Sequence, residues 1–215
     1  MLTLIETWYK LVSSQQWELH ATRTWRLKML SSLVLFLLAL SNLNPASAAI
    51  DPALRLGIHG KHPLSDSVSL SGHLIVCNFV KDQSALVYVG PRILLSEKSW
   101  VEIELGHTLY AEGNSVVLSP RLNIQHSALS VLTILDIYPQ TSSWYHLTDA
   151  KYALGPVKLG VESENFGQYQ ALAASHLSVG PAVAIPLGQT LEFDAVYLLA
   201  NDKANVARVS VNLFF

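Results

Sequence analysis

Apolar and polar residues alternate with a period of two along most of the chain after residue 50. The run Val101–Leu105, with the sequence VEIEL, is a clear instance. Such alternation places successive side chains on opposite faces of a β-strand. Short polar segments such as HPLSDS, SEKS and LGQT separate the runs, as turns do in an antiparallel meander. No helical period of useful length appears in this region, so the sequence predicts one all-β domain.

The N-terminal part of the chain has a different pattern. Arg23, Arg26 and Lys28 precede the apolar run Leu30–Leu40, and the small residues Ala46–Ala48 follow it. This order is typical of a secretory signal peptide, and the apolar run is shorter than the ~20 residues of a spanning helix. A retained membrane anchor is the alternative. The predicted organisation is an unassigned extension at 1–22, which an upstream misassigned start would explain, a signal peptide at 23–48 cleaved near Ala48, and a barrel at 49–215.

Alternation alone does not decide whether the apolar face meets lipid or a dry core. Half of the residues are hydrophobic, 14% are charged, and the mean hydropathy is +0.31, which is high for a soluble protein. Aromatic residues recur near the predicted strand ends, where the two interfaces of a membrane barrel concentrate them. Ordinary strand propensity is the alternative explanation for these aromatics. They are Phe79, Trp100, Tyr110, Tyr138, Trp144 and Tyr145.

The C-terminal run ANVARVSVNLFF ends on an aromatic residue, with apolar residues at the alternate positions before it. In this it resembles bacterial outer-membrane β-barrel proteins, although no specific family is recognised. The resemblance implies a last strand that closes the barrel against the first and an assembly signal read by the barrel-assembly machinery. It also implies that the same residues of this strand face lipid and form the assembly signal. These residues are Val209, Val211, Leu213 and Phe215.

The number of strands is less certain than their type. Eleven runs fit a strand, but a single-chain barrel with both termini on one side needs an even number. We interpret 143–152, SWYHLTDAKY, as a connection because it alternates poorly. The prediction is a small antiparallel transmembrane β-barrel of about ten strands, with eight to twelve open. The runs are 53–62, 67–79, 85–95, 100–111, 115–125, 128–138, 143–152, 153–165, 171–186, 190–200 and 204–215.

The polar face of such a barrel would line its lumen and set its selectivity. With Lys61 and Glu164 included, this face carries seven acidic and five basic residues, which predicts a preference for cations if the lumen conducts. Buried charges must pair or meet water, so a salt-bridged plug is the alternative to an open channel. The lumen candidates are Arg55, Glu102, Glu104, Arg121, Asp136, Lys158, Glu162, Glu192, Asp194 and Arg208.

The sequence gives little support for a disulfide, a metal site, a nucleic-acid interface or a catalytic site. The single cysteine, Cys77, excludes a disulfide within the chain and a thiolate cluster. The histidines match no HExxH or i, i+4 zinc pattern, and His59 and His62 face opposite sides of a strand, so no metal or cofactor is predicted. A net charge of −2 without a basic run argues against nucleic acid. The segments QHSALS and ASHLS hold adjacent His and Ser residues that cannot form a dyad within a strand, so no catalytic residue is predicted.

These patterns predict a narrow porin-like channel or a structural protein of the bacterial outer membrane, with lipid and the assembly machinery as its partners. The oligomeric state stays open. An outer-membrane lipid deacylase is one alternative, because such enzymes place a Ser and a His on barrel strands. A soluble periplasmic lipocalin-like binder is the other, since its strands would show the same alternation with the apolar face inward.

Overall fold

The computed structural model describes residues 50–77, 84–110, 113–169, 176–201 and 205–215, with side chains described for all of these except 50–52, 110 and 113. The predicted extension at 1–22 and the predicted signal peptide at 23–48 lie outside these ranges. So do Phe79 and the side chain of Tyr110.

The described residues form an all-β structure of eleven strands without a helix. None of them belongs to a helix long and apolar enough to cross a membrane. The strands run from 10 to 14 residues. They are β1 (Ile50–Pro63), β2 (Val68–Cys77), β3 (Ser84–Leu94), β4 (Trp100–Tyr110), β5 (Gly113–His126), β6 (Leu129–Tyr138), β7 (Ser143–Leu154), β8 (Val157–Gln168), β9 (His176–Pro186), β10 (Leu191–Ala200) and β11 (Asn205–Phe214).

The eleven strands close into a barrel in which each strand pairs with its neighbours in the chain. Ten of the pairings are antiparallel, and the closing pairing of β1 with β11 is parallel, from Ile50 opposite Asn205 to His59 opposite Phe214. The prediction of a closed all-β barrel of about ten strands is confirmed.

The interpretation of 143–152 as a connection is wrong, because these residues belong to β7 and all of them pair with both β6 and β8. The expectation of an even number of strands is also wrong, because the barrel closes through a parallel pair of strands. Only an antiparallel closing pair demands an even count, whereas the parallel pairing of β1 with β11 accommodates an odd one.

Because eleven strands are joined by ten antiparallel pairings, the start of β1 and the end of β11 lie at opposite rims of the barrel. We call these the Ile50 rim and the Phe215 rim. The Phe215 rim includes two turns of two residues each, at 127–128 and 155–156. Ser127 and Gly155 have φ values of 52° and 64°, the left-handed conformation that tight hairpin turns require. The turns at the Phe215 rim are 64–67, 95–99, 127–128, 155–156 and 187–190.

Strand β4 shows how the two faces of the barrel wall differ. Glu102 and Glu104 point inward and are fully buried, whereas Ile103 and Leu105 point outward and are 57% and 64% exposed. The same division holds for most of the barrel: most inward side chains are polar and most outward ones are apolar. The main inward exception is a buried apolar cluster of Ala182, Val196 and Leu198 on β9 and β10. The division is the inverse of that in a soluble β-barrel, whose apolar side chains fill the inside.

Charged residues make this division sharpest. Among the strand side chains that the structure describes, every Asp, Glu, Lys and Arg occupies an inward position, either lining the cavity or bonded to another inward side chain. They are Arg55, Lys61, Arg92, Glu102, Glu104, Arg121, Asp136, Asp149, Lys151, Lys158, Glu162, Glu164, Glu192, Asp194 and Arg208.

Candidate functional site

The lumen contains a cavity of about 660 Å³ that reaches the Phe215 rim. Its lining includes the exposed residues Lys61, Gln189 and Thr190 together with Phe214 and Phe215 at the end of the chain. Toward the Ile50 rim, the inward side chains Thr108 and Leu198 are completely buried. Within the described residues, the lumen is therefore open as a vestibule at one end and packed toward the other.

An arginine on β11 crosses the lumen to two glutamates on β8. The guanidinium of Arg208 donates to the carboxylates of Glu162 and Glu164, and all three side chains are largely buried. The hydroxyl of Tyr145 donates to Glu164 Oε1 at 2.7 Å, and Arg55 Nη2 lies 3.9 Å from the same oxygen. Strands β1, β7, β8 and β11 are thereby connected through the interior.

A lysine provides a second link across the lumen. Lys151 Nζ on β7 lies 2.6 Å from Asp149 Oδ2 on the same strand and 2.6 Å from Asp194 Oδ2 on β10. Nearer the Phe215 rim, Lys158 Nζ lies 2.6 Å from Glu192 Oε2. Because the pairs Lys151–Asp194 and Lys158–Glu192 join strands that are not neighbours in the sheet, they limit the width available to a solute.

A histidine and two glutamates meet at the opposite wall, and we call them the His73 cluster: His73, Glu102 and Glu104. His73 Nε2 lies 3.0 Å from Glu104 Oε1 and 3.4 Å from Glu102 Oε2. One potential ligand atom from each residue lies within 4.8 Å of the others, an arrangement compatible with a metal ion. His73 also lines the cavity, so the cluster borders the vestibule.

Two arginines flank the His73 cluster. Arg92 donates to Glu102 Oε1 and lies over the ring of Trp100, 4.2 Å from its centroid. Arg121 Nε lies 3.0 Å from Glu104 Oε2, and its guanidinium covers the ring of Tyr88 at 4.4 Å. Each carboxylate is thus held through one oxygen by a guanidinium that an aromatic ring supports.

A buried aspartate extends this network around the wall. Asp136 Oδ2 accepts from the hydroxyl of Tyr88 at 2.8 Å, and Asp136 Oδ1 accepts from the hydroxyl of Ser119 at 2.5 Å. Ser119 in turn accepts from Arg121 Nε at 3.1 Å. Strands β3, β5 and β6 are therefore joined by hydrogen bonds from side chains in addition to the sheet.

Gly90 allows the His73 cluster to form between strands that are not adjacent. A Cβ atom at this position would lie 2.2 Å from the carbonyl oxygen of Ile103 and 2.7 Å from the Cα atom of Glu104. The missing side chain lets Ser71 Oγ reach across β3 to both the Gly90 carbonyl and Glu104 Oε1, each at 3.0 Å. β2 and β4 can then share polar contacts across the strand between them.

All ten predicted lumen residues occupy inward positions in the structure. The predicted excess of acid does not carry over to the cavity, however. Its lining has six basic residues and four acidic ones, an excess of two positive charges, because Glu102, Glu104, Asp136 and Glu164 are withdrawn into the wall networks. The basic residues are Arg55, Lys61, Arg92, Arg121, Lys151 and Arg208, and the acidic ones are Asp149, Glu162, Glu192 and Asp194.

The sequence prediction missed several residues of the lumen. Lys151 and Asp149 fall in the run that was interpreted as a connection. Arg92 follows a proline in a run with weak alternation. The approach of His59 to His73 could have been found, since a hairpin centred on the turn 64–67 pairs these two positions.

The C-terminal strand has the predicted alternation except at its end, where Phe215, which is predicted to face lipid, contributes to the lining of the cavity. Arg208, Ser210 and Asn212 line the lumen, and the half-buried residues Val209 and Val211 point outward. Phe215 is 74% exposed; its N–H donates to the His59 carbonyl at 2.9 Å, and its carbonyl accepts from Lys61 N at 3.3 Å. The last residue therefore extends the pairing of β11 with β1.

The histidine and serine of the ASHLS segment contact residues of β8. His176 and Ser178 both point inward, but His176 stacks on Phe166 at 4.5 Å. The hydroxyl of Ser178 donates to the backbone carbonyl of Glu164 at 3.2 Å. This serine is occupied by a backbone acceptor, which is not the arrangement of an activated nucleophile.

Comparisons with known proteins do not place the chain in a family. No protein-family model matches the sequence, and no curated protein matches it. Among solved structures, one chain matches with 9% sequence identity and a TM-score of 0.49, covering 71% of this chain and 78% of its own length. That structure is described as "Unveiling the Mechanism Behind the in-meso Crystallization of Membrane Proteins". The function proposed for this chain therefore rests on its own geometry.

Proposed function

We propose that the protein is a transmembrane β-barrel of the bacterial outer membrane with a cross-braced lumen that holds a polar pocket open at one rim. The observation that carries the proposal is the division of charge: every Asp, Glu, Lys and Arg among the described strand side chains is inward, and the outer surface is mostly apolar. A lipid environment stabilises that surface, whereas water would expose it at a cost of about 25 cal/mol per Å² of apolar area.

The alternation of exposed residues also argues against a soluble lipocalin-like binder. Such a protein would bury Ile103 and Leu105 and expose Glu102 and Glu104, the opposite of what the strand presents. Strands of 10 to 14 residues match the length needed to cross a bilayer at the usual tilt.

One group of polar side chains on the outer surface is compatible with lipid because its members bind each other. His146 Nε2 lies 3.1 Å from Thr133 Oγ1 and 3.2 Å from Thr148 Oγ1, and His146 Nδ1 lies 3.3 Å from Asn165 Nδ2. Polar groups in a bilayer must be satisfied internally, and this cluster largely meets that demand.

The cross-lumen ion pairs favour a pocket over an open channel. Arg208 and Lys151 reach across from β11 and β7, and the inward side chains toward the Ile50 rim are packed. The excess of two basic residues in the lining favours small anionic solutes as occupants. A narrow anion-conducting channel is the second candidate, favoured by the volume of the cavity.

The lengths of the connections support an orientation, because those at the Phe215 rim span two to five residues and those at the Ile50 rim span up to seven. Periplasmic turns of outer-membrane barrels are short, and the resemblance of the C-terminal strand to that class implies a periplasmic C-terminus. The pocket would then open toward the periplasm, and β1 would begin at the outer side. Outer-membrane lipid and the barrel-assembly machinery are the partners this proposal requires.

Two measurements test the proposal. The protein should fractionate with the outer membrane and show heat-modifiable mobility on gels, whereas recovery in osmotic-shock fluid would contradict the membrane location. In planar bilayers, the folded protein should show no sustained conductance. Steady ohmic conductance would contradict the closed lumen without affecting the location, and would favour the channel.

A further inference from the structure

We propose that the His73 cluster is a binding site for a divalent transition-metal ion, with His73 Nε2, Glu102 Oε2 and Glu104 Oε1 as its ligands. The three atoms converge from β2 and β4 at the wall of the lumen. A histidine nitrogen with two carboxylates suits Zn²⁺, Mn²⁺ or Fe²⁺ better than Ca²⁺ or Mg²⁺, which prefer sites made only of oxygen.

Burial of the ligands is the first independent support. The side chains of Glu102 and Glu104 are completely buried and that of His73 is 5% exposed. His73 Nε2 and Glu102 Oε2 have no partner of hydrogen-bonding geometry among the described residues. Buried polar atoms without partners are costly, and a cation between them would remove that cost.

The hydrogen bonds of the second ring nitrogen support the same assignment. His73 Nδ1 lies 2.6 Å from His59 Nδ1, and His59 Nε2 lies 3.3 Å from Asn212 Oδ1. A consistent arrangement has His59 Nε2–H donating to Asn212 and His73 Nδ1–H donating to His59. His73 Nε2 is then left with a lone pair that faces two carboxylates. Metal-binding histidines commonly donate their other N–H in this way, which fixes the ring.

The flanking arginines leave the proposed ligand atoms accessible. Arg92 engages Glu102 Oε1, and Arg121 engages Glu104 Oε2, so each carboxylate keeps its other oxygen toward His73. The hydroxyl of Ser71 orients Glu104 further. These contacts hold the carboxylates in place but also offset their charge. They are therefore expected to weaken the affinity relative to an unopposed pair.

The cavity supplies a route to the site and room for a fourth ligand. His73 lines the vestibule that reaches the Phe215 rim, so an ion can enter from there and retain a water or an anionic solute. Three protein ligands with one open position are the arrangement of exchangeable and catalytic metal sites. A transition-metal ion could thus help to hold an anion in the pocket.

The test uses the full-length protein folded in detergent micelles and freed of metal with a chelator. Calorimetric titration with Zn²⁺ should give one site per chain. Co²⁺ should give visible d–d absorption bands that Zn²⁺ removes. Glu104→Gln, which keeps the shape of the side chain, should weaken Zn²⁺ binding at least tenfold. Glu192→Gln is the matched control, because Glu192 is a paired carboxylate of the lumen that lies outside the cluster.

Three results would overturn the proposal: no stoichiometric Zn²⁺ binding by the wild-type protein, binding by Glu104→Gln equal to wild type, or an equal loss in Glu192→Gln. The second result would place the ion at other histidines. Should Glu104→Gln not fold, the ¹⁵N resonance of His73 Nε2 in the wild-type protein decides. A shift on adding Zn²⁺ supports the site, and an imidazolium unaffected by Zn²⁺ contradicts it.

Discussion

Replacing Arg208 by methionine tests whether the cross-lumen ion pairs hold the barrel together. Arg208 is 5% exposed and is the donor to both Glu162 and Glu164. Methionine keeps much of the length and removes the charge, which leaves two neighbouring carboxylates in the interior. Arg55 remains near Glu164, but at 3.9 Å it compensates only in part.

The expected cost follows from the burial of the group. Breaking a buried ion pair by removing one partner costs about 3–5 kcal/mol, because the other charge stays behind without compensation. Lys158→Met is the matched control: its side chain is 35% exposed and pairs with Glu192, so its loss should cost at most about 1 kcal/mol. The two variants remove the same charge from the same lumen and differ in burial.

Urea unfolding of the protein folded in phospholipid vesicles measures the difference. With a slope of about 2 kcal/mol per molar urea, a loss of about 4 kcal/mol lowers the unfolding midpoint by about 2 M. Adding Glu162→Gln to Arg208→Met should recover part of the loss, because one unpaired carboxylate disappears while Glu164 keeps Arg55 as its partner. The reasoning is refuted if Arg208→Met unfolds at the same urea concentration as Lys158→Met.

Further predictions concern the barrel wall and its closing strand. Gly90→Ala should strongly lower the yield of folded barrel, because the added Cβ would lie 2.2 Å from the carbonyl oxygen of Ile103. Gly60→Ala is the control and should fold like wild type, because no atom lies within 4 Å of its added Cβ. Equal yields of folded protein for the two variants, measured by heat-modifiable gel mobility, would contradict this prediction. Deleting Phe215 should reduce the assembled fraction in the outer membrane, since two hydrogen bonds to β1 are lost together with the proposed assembly signal. Phe215→Tyr should assemble normally because it keeps an aromatic residue at the terminus. Normal assembly of the deletion variant would rule out a role for Phe215 in barrel assembly.

The fold could be predicted well because period-two alternation is a local property. Each predicted run corresponds to a strand, and the inward and outward faces of β4 and β11 follow directly from the sequence. The strand count was misjudged at β7, where inward Leu147 and outward His146 and Thr148 blur the alternation. Those exceptions are stabilised by tertiary contacts that a single run does not reveal.

The site could be predicted only as a set of residues that share a face. Which charges meet depends on the stagger of strands around the closed barrel, which places Arg208 beside Glu162 and Lys151 beside Asp194. The His73 cluster also depends on Gly90, whose missing side chain brings β2 and β4 into contact across β3. Such relations between distant segments are not contained in local periodicity.

The most direct test of the proposed membrane location compares one substitution at two leucines. Leu105 at the middle of β4 and Leu64 in the turn after β1 are 64% and 63% exposed, so burial does not distinguish them. If the outer wall faces lipid, Leu105→Arg should destabilise the folded barrel in vesicles by about 2–4 kcal/mol, while Leu64→Arg should be nearly neutral. Equal urea midpoints for the two variants would contradict a lipid-facing wall.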